Sequence, residues 1–324
     1  MISTKPFNPF LFYSSQLQAL LALASKQKNP ALWLYQNNAR TPLFMLEALT
    51  RLHNKSFDEK MFSKWNIRFK KLEDILGAID YFDHFEKQFK LNKHVSPAIL
   101  ASLNEQQHLK LNELNSRLSE KGWLQGRLFK FNVKISQYSI ILDEDYASEL
   151  KKSIEGEIKV IKTFALRLNY SFTQLEEEVH ELRRKLRWIS IYSLALNGVI
   201  QLSPSVKKNY STNYFTKDII QSPFNKLAAK PFKTAAIIKF DKQSFLALSW
   251  LIKSLGDLKD KGLTVELLSK EIEKTEKCTA QIALEKTVTI LNISPETEKE
   301  ILKKASNITY QFLVKDKLLD SLVL

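Results

Sequence analysis

Apolar residues recur at three- and four-residue intervals through most of the chain, the spacing of amphipathic helices that each bury one side. Residues 8–28 carry a leucine-rich pattern that ends before Asn29-Pro30, and Pro30 suits the first turn of the next helix. That second helix runs to about His53, with a kink expected at Pro42. A third covers roughly 57–91, where Trp65, Phe69, Leu72, Leu76 and Ile79 form a buried seam. Ser96-Pro97 starts a fourth, which stops near Gly122. Between 123 and 142 the pattern changes, because Phe129, Phe131, Val133 and Ile135 alternate as in a strand for a few positions. Helical spacing resumes by Tyr146 and ends near Asn169.

Ser171 or Thr173 then caps a long helix, with Glu176 placed to close a capping box on Thr173. At roughly 100° per residue, Val179, Leu182, Leu186, Ile189 and Leu196 fall on one side of it, while His180, Arg183, Arg184 and Arg187 gather on another. Such a helix can pack on a core and still present a row of positive charge. From 203 to 239 the periodicity breaks down around Pro204, Pro223 and Pro231. Lys207 to Lys242 holds eight lysines against two aspartates, so this stretch reads as a long basic insertion. Insertions of this length are functional or disordered more often than neutral. Helices return at about 240–257, 262–292 and 295–322, the last led in by Ser294-Pro295-Glu296.

Composition agrees with an all-α chain. Seven glycines and nine prolines among 324 residues are too few turn-formers for a many-stranded sheet, and no glycines are spaced to wrap a nucleotide phosphate. Cys278 is the single cysteine, which allows neither an intrachain disulfide nor a thiolate metal cluster. With no cationic-then-apolar signal at the start, this predicts a reducing cytoplasm. No apolar run approaches the ~20 residues needed to span a bilayer. Charge changes the picture more: 49 Lys and Arg against 35 Asp and Glu leave +14, beyond what solubility needs. A polyanionic partner is expected: nucleic acid, an anionic lipid surface or a phosphate polymer. No nucleophile–base pair or carboxylate cluster stands out, so catalysis, metal and cofactor are not expected. His53, His84, His94 and His108 have no partners at metal-ligand spacing and read as surface or packing residues.

Two segments repeat a common plan. Leu76-Gly77 follows a helix with Arg40 before it, and Leu255-Gly256 follows a helix with Arg183 before it, which suggests two helical halves, 1–170 and 171–324. The glycine in each would permit close approach of helices. His180-Glu181-Leu182-Arg183 with Arg187, together with Leu255-Gly256-Asp257-Leu258-Lys259-Asp260, resembles the conserved-histidine α-helical domain (CHAD) proteins. Their helix begins His-x-Leu-Arg and their second helix carries a Leu-Gly-x-x-x-Asp turn. The first half matches less well, with Asn37 where the histidine would stand, Arg40 in the arginine position, and Asp80 one place early after Leu76-Gly77. The resemblance covers about residues 30–320 in plan. It implies two antiparallel four-helix bundles related by an internal pseudo-twofold, here with an N-terminal helix and the 203–239 insertion added. It also implies a basic groove that binds inorganic polyphosphate.

Physical chemistry bears on that expectation separately. Polyphosphate offers charge and no bases, so a binder needs closely spaced cations on stiff helices, with arginine forks for bidentate contact. His180, Arg183, Arg184 and Arg187 make one row, with Arg40 from the first half; Lys64, Arg68 and Lys71 make a second, and Lys159 and Lys162 a third. Convergence of these rows on one groove is expected, with most of the binding in the second half. A cytoplasmic protein associated with polyphosphate granules would follow. Two other readings fit the same residues: a basic nucleic-acid-binding protein, and a helical protein-interaction scaffold whose charge is incidental. Glu155-Gly156-Glu157-Ile158-Lys159 spells the Glu-x-Glu-x-Lys signature of triphosphate tunnel enzymes, but it lies in a helical pattern rather than on the strand that signature needs.

Overall fold

Asparagine side chains start the first two helices. Asn8 Oδ1 accepts from the N–H groups of Phe10 at 2.9 Å and Leu11 at 3.3 Å to open α1 (Pro9–Ala24). Asn29 Oδ1 accepts from Leu32 N–H at 3.1 Å to open α2 (Pro30–Gln36). The structure, a computed structural model, describes residues 8–54, 59–137, 143–205, 212–229, 236–294 and 297–324. The single helix expected from Pro30 to His53 is two, because the chain turns at Asn37–Ala39 with Asn38 at φ 55° before α3 (Arg40–His53). Pro42 lies in the first turn of α3, where N–H groups have no intrahelical acceptor, so it disturbs nothing.

α4 (Glu59–Lys90) and α5 (Pro97–Glu120) form a hairpin. The strand-like stretch that follows is a helix, α6 (Arg127–Gln137). Leu128, Phe131 and Ile135 are buried at i, i+3 and i+7, whereas Phe129 is 61% exposed, so the helical seam overrides the short alternation. Residues 138–142 of that stretch lie outside the described residues. α7 (Glu144–Arg167) ends in a left-handed turn at Asn169 and Tyr170, close to the expected division at 170. A π-helical turn, Leu175–His180, leads into α8 (Glu181–Ala195). Its start is held by Glu178, not Glu176: the Glu178 carboxylate accepts from Thr173 N–H at 2.5 Å and Gln174 N–H at 3.0 Å.

The 203–239 insertion is more ordered at its ends than a loop. β1 (Ile200–Ser203) and β2 (Ile238–Asp241) pair in parallel, with Ile200 opposite Ile238 and Ser203 opposite Asp241. Between them stand a 3₁₀ turn at Thr212–Tyr214, the short α9 (Lys217–Gln221) and another 3₁₀ turn at Pro223–Asn225. Lys207, Lys208, Lys230 and Lys233, half of the lysines behind its expected basicity, lie outside the described residues. α10 (Lys242–Glu276) runs through the break expected near 257–262; the chain turns instead at Lys277, φ 52°, before α11 (Ala280–Leu291). α12 (Thr297–Tyr310) continues into a π-helical turn at Gln311–Lys315. Pro295-Glu296, expected to lead it in, lie outside the described residues.

The fold is all-α apart from the one two-stranded pair among the described residues. One hydrophobic core runs through both halves, joining Phe10, Leu46, Phe69, Phe131 and Ile154 to Leu186 and Leu251. A second cluster joins the distal ends of two hairpins, with Phe85, Phe89, Ile99 and Leu103 of α4 and α5 against Leu263, Leu268 and Ile272 of α10. Residue 170 is a turn in the chain, and the core holds residues from both sides of it. No helix among the described residues is long and apolar enough to cross a membrane.

Candidate functional site

The two Leu-Gly pairs have a direct spatial role. A Cβ at Gly77 would stand 2.7 Å from Arg40 Nη2, and one at Gly256 would stand 2.8 Å from Arg183 Nε. Each glycine leaves room for an arginine guanidinium rather than for the backbone of a neighbouring helix. In both places an arginine of one helix lies across a glycine of another, Arg40 of α3 over Gly77 of α4 and Arg183 of α8 over Gly256 of α10.

The two arginines differ in their counter-charges. Arg40 Nε donates to Glu73 Oε1 at 2.6 Å, and its Nη1 donates to Asp80 Oδ2 at 3.0 Å. Glu73 lies four residues before Gly77; four residues before Gly256 is Ile252, whose backbone carbonyl accepts from Arg183 Nε at 3.1 Å. The acids that follow Gly256 are taken up by lysines, Asp257 with Lys253 at 2.7 Å and Asp260 with Lys259 at 2.6 Å. Arg183 and, one turn on, Arg187 have no ion-pair partner among the described residues. Burial holds the Arg183 guanidinium below its ordinary range, against the pull of Asp260 and Asp257. Burial first, then Arg183 and Arg40, push Arg187 down to about 10, with Glu73 opposing. Arg187 is still charged at neutral pH.

These side chains border a cleft of about 240 Å³ between α3, α4 and α8, where Arg40 meets His180, Arg183, Arg184 and Arg187. Phe44 lies under two of them, its ring centre 5.1 Å from the Arg40 guanidinium and 4.9 Å from that of Arg187. His180 Nδ1 pairs with Glu176 Oε2 at 2.9 Å, and Arg184 Nη2 with Glu181 Oε2 at 2.6 Å. The carboxylates Glu47, Glu73 and Asp74 also line the cleft. Glu47 is buried, at 4% exposure, and burial, then Glu73, raise its carboxyl to about 7.

The other two rows do not join this cleft. Lys64 and Arg68 lie on α4 roughly half a turn around from Asn66, Lys70 and Glu73. They line a separate cleft of about 530 Å³ against α6. Lys71 is drawn away to Glu113 at 3.7 Å. Lys159 and Lys162 lie on α7 beside Tyr170, and Lys162 pairs with Asp320. The expected convergence is thus limited to Arg40 and the 180–187 row, because the remaining rows sit on faces turned elsewhere. The Glu155–Lys159 pentapeptide lies within α7, where Glu157 pairs with Arg51 at 2.8 Å.

Sequence reasoning passed over Phe44, Glu47, Arg51 and Glu73, all placed in the cleft by α3 and α4. Glu73 had a signal: it stands at the position where the second half carries Ile252. Beyond Arg183 and Arg187 a more apolar cleft of about 660 Å³ extends to the described part of the insertion, with Ile219 and Phe224 on its far wall. His53, expected to be a surface or packing residue, is buried with Nε2 3.0 Å from Tyr146 Oη, and burial lowers it to about 4. No protein-family model, curated protein or solved structure matches the chain.

Proposed function

We propose that this chain is a noncatalytic binder of inorganic polyphosphate, held in the α3–α4–α8 cleft by Arg183 and Arg187 with help from Arg40, Arg184 and His180. One observation carries the reading: two half-buried guanidinium groups, one helical turn apart, have no carboxylate partner among the described residues. Uncompensated charge in a partly buried place is costly, and an anion from solution would relieve it with charge-assisted, bidentate hydrogen bonds. Arg40 is already neutralised by Glu73 and Asp80, so the second half supplies most of the attraction. The resemblance to CHAD proteins points the same way, and cytoplasmic recruitment to polyphosphate granules belongs to the same proposal.

Polyphosphate fits the cleft better than nucleic acid. Trp188 is buried and Phe44 lies under Arg40 and Arg187, so the cleft offers no free aromatic face for base stacking. The dispersal of the other basic rows favours a second reading, a protein-interaction scaffold. So do the exposed Ile220 and Phe224 beside the neighbouring apolar cleft. Competition separates the three. Long-chain polyphosphate is expected to bind saturably, and RNA at equal phosphate concentration to displace little of it. Equal displacement would move the assignment to nucleic acid, and no binding of either would move it to the scaffold.

A further inference from the structure

A cleft lined by cations from two helices lies on the other flank of α4. Lys60, Lys64 and Arg68 of α4 face Arg127, Lys130 and Lys134 of α6 across the cleft of about 530 Å³, and Lys121 closes one end. No carboxylate is among its described lining residues, and none of these cations takes part in an ion pair among the described residues. The arrangement is built on a rigid floor. Trp65 packs on Phe131 with ring centres 5.0 Å apart and on Trp123 at 6.3 Å, and both tryptophans are buried. Arg68 lies over Trp65 at 4.6 Å, and Arg127 lies 5.9 Å from the Trp123 ring.

Arg127 carries a second signal. Its Nη1 donates to the Lys121 carbonyl at 2.6 Å, which fixes the guanidinium, while its Nε is buried with no acceptor among the described residues. A buried donor without a partner costs roughly 1–3 kcal/mol, which leaves the guanidinium held by its Nη1 bond alone. Like charges gathered without acids are themselves unfavourable: burial, then Arg127, lower Arg68 below its ordinary range. An anion bearing several phosphate groups neutralises this charge and accepts charge-assisted hydrogen bonds from the cations that line the cleft. The tryptophan faces are already covered by arginine and by each other, so an aromatic base has no place to stack.

We propose that the α4–α6 cleft is a separate binding site for a free, compact oligophosphate, distinct from the α3–α4–α8 cleft. Three features define it: opposed cationic faces on two helices, an arginine held in place by the Lys121 carbonyl, and the absence of acids among the described lining residues. The ligand's phosphates would bridge Arg68 and Arg127, with the lysines of the rim adding longer-range attraction.

Isothermal titration with inorganic tripolyphosphate tests this on the full chain. Arg68→Gln/Lys130→Gln is expected to weaken binding at least about tenfold. Lys64→Gln/Lys134→Gln, which alters only exposed side chains and so spares the fold, should weaken it about threefold or more. All variants are compared in an Arg183→Gln/Arg187→Gln background, so that the α3–α4–α8 cleft does not contribute, and Lys303→Gln/Lys304→Gln, which removes the same charge from α12, should bind as that background does. Unchanged affinity in the two α4–α6 variants, or an equal loss in the α12 control, would overturn the site. Binding to vesicles carrying phosphatidylinositol bisphosphate, with none to free tripolyphosphate, would overturn the assignment to a free ion and make the source a lipid headgroup.

Discussion

Among single residues, Glu47 has the most consequential environment. It lies buried beside Glu73 in a cleft otherwise rich in arginine, and its Oε2 has no hydrogen-bond partner among the described residues. A carboxyl raised to about 7 from an unfolded value near 4.5 stabilises the fold fully below that unfolded value. The contribution is lost as pH rises through about 7, when the folded chain must ionise a buried group. Glu47→Gln removes this dependence. Denaturant unfolding at pH 5 and pH 8.5 should show the variant gaining on the unaltered chain at the higher pH, by on the order of 2–3 kcal/mol. A stability difference independent of pH would show that Glu47 ionises normally in the fold. Nothing in the sequence around Glu47 marks it, since its shift comes first from burial in the fold and then from Glu73 of α4, a separate element.

At the scale of elements, the long periodic helices were legible and their joints were not. The seam from Trp65 to Ile79 lies buried on α4 as expected, because five apolar residues in phase leave no other face to bury. The 123–142 stretch is ambiguous in the sequence because four alternating apolar residues imitate a strand, while Leu128 in the opposite register completes a helical seam. The same ambiguity hides a basic row. Arg127, Lys130 and Lys134 share a face only when the stretch is helical. Gly262 marks a second lesson. It was placed at a helix break, yet it lies inside α10, where a Cβ would overlap Leu175 Cδ2 and the π-helical turn ahead of α8 packs closely. Gly262→Ala should therefore cost about 1–3 kcal/mol in denaturant unfolding, as overpacking does. Gly256→Ala should cost less, since the atoms in its way belong to the movable end of Arg183. Equal costs would mean that both glycines serve helix packing alike.

Across the whole molecule, the all-α class and the excess of positive charge were legible in the sequence, but the direction in which the charge points was not. Phase along one helix relates Lys64 to Arg68; it does not tell which neighbour covers the opposite flank, and that neighbour decides which cleft a row enters. The fold divides the cations into a partly neutralised cleft around Arg40 and the 180–187 row, and an uncompensated one between α4 and α6. The difference between Arg40 and Arg183 has two sources: Glu73 stands where Ile252 does, and Asp80 pairs with Arg40 whereas Asp257 and Asp260 pair with lysines, which leaves Arg183 without an ion pair. Affinity for long-chain polyphosphate, measured in a background that carries Lys64→Gln, Arg68→Gln, Lys130→Gln and Lys134→Gln together so that the α4–α6 cleft does not mask the change, tests that account most directly. Adding Arg183→Gln/Arg187→Gln should weaken binding at least about 30-fold, whereas an affinity kept within about twofold would contradict the role given to these two arginines.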